Sequence, residues 1–334
     1  MADNFPIFHD TLDETPPPMA SPRLVGHQPL LETMLAEFAA GKMHHATILS
    51  GPQGIGKATL AFHFARQVFA DAGELNASEK IEAGTHPSLM HVTRSVNEDT
   101  KKFRTEIVIA DVHRANYFLS RTASGGGTRI IIIDPADDMN RNAANALLKN
   151  LEEPPQKTHY FLISHVAGRL LPTIRSRCRI VDVPQLTEAE VTEVLTRNLG
   201  LDAEEAAALA RHADGSVRQA MVMARYGGMD IVAALYHFGT NKKFDAIAAQ
   251  ALATAVSDRE GEQRYLMLTD WVEQKLVGAA RSNALNDQAG EAVQISTLYQ
   301  NVQQQRTIAE AYKLDRKLEV FNLLRRVHPY LGQL

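Results

Sequence analysis

One cysteine in 334 residues, Cys178, excludes an internal disulfide and any zinc site built from several thiolates, and it fits a reducing compartment. An excess of either charge is also missing. The 35 basic and 39 acidic side chains give a formal net charge of -4, so no global electrostatic footprint for nucleic acid or membrane exists and any DNA contact must be local. No apolar run approaches a membrane-spanning length. The start of the chain carries prolines and acids where a signal peptide would need a basic and then an apolar stretch, so the expectation is a cytoplasmic protein without a membrane partner. What is present is the composition of a globular protein, 45 % hydrophobic and 22 % charged. The length exceeds one ordinary hydrophobic core and implies two or three domains.

The chain is organised around Gly51 to Thr59, GPQGIGKAT, between the apolar run Ala46 to Leu49 and a helix-like run from Leu60 to Ala70. Gly51, Gly54 and Gly56 let the backbone turn its N–H groups inward, and Lys57 adds a point charge for terminal phosphates. The spacing G-x-x-x-x-G-K is that of a P-loop, set between a strand and a helix as the motif requires. The next residue should be Ser or Thr, whose hydroxyl ligates magnesium; here it is Ala58, and Thr59 comes one place late. ATP or ADP is the ligand such a cradle implies, with the magnesium contribution left open.

A second landmark is Arg129 to Asp134, an unbroken apolar run that reads as a central parallel strand buried on both faces. In a P-loop protein the carboxylate ending such a strand, here Asp134, lies beside the cradle and holds the metal, although a turn or capping aspartate has the same appearance. The position that should carry a water-orienting carboxylate is Pro135, which has no group for the task. Asp137 or Asp138 would have to replace it, and each reads more simply as a helix N-terminal carboxylate.

The remainder falls into order around these motifs. Residues 1–22, with Asp3, Asp10, Asp13, Glu14 and Pro16 to Pro18, read as a flexible tail, and residues 23–183 as the P-loop domain. Within that domain Leu30 to Phe38 has helical spacing, Asp71 to Thr85 breaks periodicity, Leu89 to Val92 suits a short strand, and Gly125-Gly126-Gly127 suits a turn. Ala143 to Leu151 follows as a helix closed by Pro154-Pro155. Tyr160 to Ile163 reads as a buried strand whose end, Ser164 and His165, could face a γ-phosphate. Arg169, Arg175, Arg177 and Arg179 form a basic cluster before a last strand at Ile180 to Val183. Residues 184–228 read as a small helical lid opened by a capping box at Thr187 to Glu190, and residues 229–334 as an all-helical domain with a loop at Ser282 to Gly290. Its apolar stripes include Ile247, Leu314 and Leu318.

The segment Ile130 to Pro155, IIIIDPADDMNRNAANALLKNLEEPP, with Leu170 to Cys178, LLPTIRSRC, closely resembles bacterial clamp-loader subunits of the AAA+ class. Asp-Pro in place of Asp-Glu resembles the delta-prime type of DNA polymerase III rather than the hydrolysing tau/gamma type. The resemblance covers residues 23 to about 228 by motif. It implies an α/β fold, with an AAA+ parallel-sheet domain, a helical lid and a C-terminal all-α oligomerisation domain. It further implies that Arg177, in Ser176-Arg177-Cys178, is an arginine finger reaching a neighbouring subunit's ATP site, and that Arg218 is a second sensor in the lid. Partners would be tau/gamma and delta types of subunit in a ring, with the sliding clamp and primed DNA reached through the complex. Many relatives carry a four-cysteine zinc module after the P-loop helix, and Asp71 to Thr85 has no cysteine, so no zinc is expected. Little or no ATP turnover is expected of the isolated chain. The competing reading is a self-sufficient AAA+ ATPase acting on nucleic acid, with Thr59 on the metal and Asp137 or Asp138 on the water.

Overall fold

The structure, a computed structural model, describes residues 6–12, 15–120, 127–257, 261–312 and 314–331. Its centre is a sheet of five parallel strands, β1 (Ala46–Ser50), β2 (Leu89–Val92), β3 (Arg129–Ile133), β4 (Thr158–Ser164) and β5 (Arg179–Asp182), in the order β2-β3-β4-β1-β5. Parallel neighbours need crossovers, and helices supply them on both faces. Alternation along β3 divides its isoleucines between two cores. Ile130 and Ile132 meet α1 (Gln28–Ala39), α2 (Lys57–Asp71) and α3 (Ala77–Glu82) through Leu31, Phe64 and Ile81. Ile131 and Ile133 meet α4 (Ile109–Ser120), α5 (Arg141–Glu152) and α6 (Pro172–Arg175) through Val112, Leu147 and Ile174. This is an α/β arrangement with helices on both faces of a parallel sheet, the P-loop following β1 and the acidic strand β3 set one strand away across β4. The carboxyl ends of β1, β4 and β3 therefore open onto one crevice, where ligands of such sheets bind.

Two expectations for this region are corrected. The stretch read as a flexible tail is anchored to the domain at several points: Leu12 and Met19 are buried, Phe8 lies against the α2 core, and Arg66 donates to the carbonyls of Met19 and Ser21. Averaging over prolines and acids hid three well-spaced apolar anchors; residues 1–5, 13 and 14, which include Asp3, Asp13 and Glu14, lie outside the described residues. The aperiodic stretch after α2 contains α3, a helix too short for its two buried residues, Ala77 and Ile81, to make a period. Of the triple-glycine turn, Gly125 and Gly126 also lie outside the described residues.

The chain divides into two compact units, Met1–Arg218 and Gln219–Leu334. The first includes α7 (Glu188–Leu199), capped by the reciprocal Thr187 and Glu190 bonds, and α8 (Ala203–His212). The division falls inside α9 (Val217–Arg225), ten residues before the end assigned to the lid from the sequence. The second unit holds α10 (Gly228–Thr240), α11 (Ala246–Ala255), α12 (Glu262–Leu285), α13 (Ala289–Tyr312) and α14 (Arg316–Leu331). The loop expected at 282–290 shrinks to the three residues between α12 and α13. Leu235, Phe238, Leu268, Val272, Leu276, Leu324 and Val327 are buried in this unit, whereas Ile247, Leu314 and Leu318 are exposed at 84 %, 54 % and 60 %. The assignment of those three to core stripes is therefore corrected: on α14 the buried face is Val320, Leu323, Leu324, Val327 and Leu331, about half a turn from Leu318. Among the described residues no helix is long and apolar enough to cross a membrane.

Candidate nucleotide site and arginine finger

The cradle is built by backbone conformations that only glycine adopts without strain, with φ of 151° at Gly51, 79° at Gly54 and 98° at Gly56. Space forbids a side chain as well: a Cβ on Gly51 would stand 2.7 Å from the Val183 carbonyl oxygen, and one on Gly54 2.6 Å from Arg218 Cβ. The loop runs into the N-terminus of α2, where unpaired N–H groups and the helix dipole favour an anion. His27, buried beneath it, donates from Nε2 to the Ile55 carbonyl at 2.6 Å and fixes the underside of the turn.

Lys57 is 3 % exposed, and its Nζ donates to the Gly51 and Pro52 carbonyl oxygens, each at 2.6 Å. Burial pulls its pKa down to about 8, against the pull of the Asp134 and Asp137 carboxylates. Burial pushes the Asp134 carboxyl up, yet His91, His165 and Lys57 together hold it below its ordinary value. The His91 Nε2 lies 3.8 Å from Asp134 Oδ2. His165, at the end of β4, is brought down to about 3 by burial and then by Lys57, with Asp134 opposing. Lys57, Asp134, His165 and Arg218 therefore share one electrostatic neighbourhood, as the order of the strands requires.

The two positions that depart from a working P-loop site are built as departures. Ala58 is a buried methyl in the first turn of α2, and Thr59 is about 100° further round the helix, so its hydroxyl does not take the place that residue 58 would give it. Pro135 follows Asp134 with no polar side-chain atom. Its expected substitutes are committed elsewhere. Asp137 accepts from the Ser164 hydroxyl at 2.9 Å and the His165 N–H at 2.6 Å, and Asp138 accepts from Arg94 Nε at 2.5 Å. The residues present fit the phosphates of a nucleotide and offer Asp134 to a metal, but the paired hydroxyl and the water-orienting carboxylate have no counterpart. When bound, a divalent cation would supply charge neutralisation between phosphate oxygens.

Arg218 reaches the rim of the cradle, its N–H pointing to the Gly54 carbonyl at 3.4 Å, while its Nη1 donates to the Asp10 carbonyl at 2.5 Å. Arg177 stands apart from these residues. It follows α6 at the surface, 35 % exposed, with Nη2 2.7 Å from Glu152 Oε1 and Nη1 donating to the Thr173 carbonyl at 3.0 Å. None of these partners belongs to the cradle. The structure thus gathers Gly51, Gly54, Gly56, Lys57, Ala58, Thr59, Asp134 and Arg218 at one crevice and leaves Arg177 on the outside. His27, His91 and the 8–10 segment also belong to the crevice, and no spacing in the sequence singles them out; the nearness of His91 follows only once β2 is paired with β3.

Residues 26–187 match the family described as DNA polymerase III, delta subunit. A DNA polymerase III subunit delta' from Pseudomonas aeruginosa is 38 % identical over 186 residues, covering 53 % of this chain and 55 % of that protein. The Escherichia coli subunit delta' is 28 % identical over 203 residues, 59 % of each chain. A Salmonella typhimurium subunit tau is 26 % identical over 268 residues, 74 % of this chain and 39 % of that protein. The chain thus spans little more than half the length of the delta' relatives it matches. A solved DNA polymerase III gamma subunit-related protein of Thermotoga maritima, 17 % identical with a TM-score of 0.42 over 90 % of this chain and 99 % of that one, is too distant to bear on the fold or its use.

Proposed function

From the match of residues 26–187 to the family described as DNA polymerase III, delta subunit, we propose that this chain is a clamp-loader subunit of the delta-prime type, one that turns over little or no ATP itself and completes a neighbour's ATP site with Arg177. The observation that carries this reading is the pairing of a fully formed cradle with Ala58 and Pro135. The glycine geometry, Lys57 and Asp134 persist, while the metal hydroxyl and the water-orienting carboxylate, independent parts of one reaction, are both gone. The engagement of Asp137 with β4 and of Asp138 with Arg94 supports this reading over a self-sufficient ATPase. Arg177 sits on an accessible turn, its charge held by a surface carboxylate that a competing phosphate would displace. An arginine supplied in trans neutralises charge that develops on the transferring phosphoryl group and is worth roughly 10³ to 10⁵ in turnover in nucleotide hydrolases. Partners in this reading are tau/gamma and delta types of subunit, with the sliding clamp and primed DNA reached through the ring. The test is ATP turnover of the purified chain alone and after addition to a tau/gamma-type partner with clamp and primed DNA. Negligible turnover alone and stimulation in the mixture are expected; rapid turnover by the isolated chain would refute the proposal.

A further inference from the structure

Pro6 to Leu12 runs over the crevice, and three consecutive residues of it touch three separate parts of the site. The Phe8 ring meets the edge of His91, with centroids 5.0 Å apart and planes at 72°, and Phe62 of α2 meets the same imidazole at 5.3 Å. His91 is the ring that faces Asp134. His9 shares a hydrogen bond of 3.2 Å with the Thr93 hydroxyl just beyond β2, and its Nε2 lies 3.9 Å from Asp138 Oδ2. Asp10 gives its carbonyl to Arg218 Nη1 at 2.5 Å and holds its carboxylate 3.9 Å from the same nitrogen. Leu12, 5 % exposed, anchors the segment beyond these contacts.

We propose that Pro6 to Leu12 is a built-in cover of the chain's own P-loop crevice, seated at the end where the terminal phosphate of a nucleotide would lie, so that docking of the segment and binding of a nucleoside triphosphate exclude each other. The cations of the site support this. Lys57 Nζ donates to two carbonyls of its own loop, and Arg218 Nη1 is held by a main-chain carbonyl and an acidic side chain of the segment, so the segment occupies a guanidinium nitrogen that a phosphate would use. A phosphate oxygen makes a stronger charge-assisted bond than a neutral carbonyl, so the cover is displaceable rather than permanent. Its contacts with the crevice itself are made through single groups, one ring on an imidazole, the imidazole of His9 and the Asp10 carbonyl and carboxylate, while Leu12 anchors it outside. A cover docked in about nine molecules of ten lowers apparent affinity about tenfold. This goes beyond the clamp-loader reading, since it concerns nucleotide entry and not the use of Arg177.

The test uses the full chain and two readouts. Binding of Mg·ATP is titrated for the wild type and for the double substitution Phe8→Ala with Asp10→Gly, and amide hydrogen exchange of residues 6–12 is followed with and without saturating Mg·ATP. Binding about tenfold tighter in the variant is expected, together with faster exchange of the segment in the wild type once nucleotide is bound; binding detectable only in the variant carries the same conclusion. The exchange readout needs no substitution and so stands if the variant folds poorly. Equal affinities, no binding by either chain, or nucleotide bound with the protection of residues 6–12 unchanged would overturn the proposal.

Discussion

His165 shows how a single side chain records its neighbours. Burial and the nearby Lys57, Arg169 and Arg218 bring its pKa from 6.5 to about 3, despite Asp134. Between those values the unfolded chain carries a proton that the folded chain refuses, so stability falls as pH falls through this window. Full stability from this group is present above about 6.5 and its loss is complete near 3. The expected outcome is that His165→Gln removes this slope. Urea melts between pH 6 and 4 should show the wild type losing stability faster than the variant, by up to about 1.4 kcal/mol per pH unit. Parallel curves would mean that His165 is not shielded as its surroundings require. At this scale the motif residues were legible in the sequence, since Gly51, Lys57, Ala58, Asp134 and Pro135 announce themselves by spacing. Phe8, His9 and Asp10 were not, because what brings them to the crevice is Leu12 and Met19 packing into the fold, and two apolar residues in a proline-rich stretch make no period.

Among the elements, β3 best tests the layered arrangement. Ile131 and Ile132 are both fully buried but belong to cores on opposite faces of the sheet. Replacing either with alanine is therefore expected to cost about 2–5 kcal/mol, in thermal or urea unfolding, with neither face spared. A sheet covered on one face would leave one of the pair nearly neutral. Strands of this kind were legible because continuous runs of Ile, Leu and Phe admit few other readings. The long helices of the second unit were less so. In α12 and α13 the residues facing inward include Ala279, Ala292 and Ala309, whose small side chains make no conspicuous apolar stripe. Leu314 and Leu318 misled in the other direction: helical spacing identifies a face without saying which face is inside.

Considered whole, the molecule places the P-loop crevice and the exposed turn of Arg177 in the same unit of 218 residues, and a helical unit with no catalytic constellation among its described residues after it. The family match covers residues 26–187, all within the first unit. If the unit's partner ring draws its turnover from a neighbour's site, then the charge on Arg177 matters while the cradle of this chain does not. The most direct measurement is ATP turnover in the mixture of tau/gamma-type partner, clamp and primed DNA, with this chain as wild type or as Arg177→Ala. Loss of the stimulation with Arg177→Ala, while the variant still joins the ring, is the expected result. A ring that works equally well without that guanidinium would contradict it.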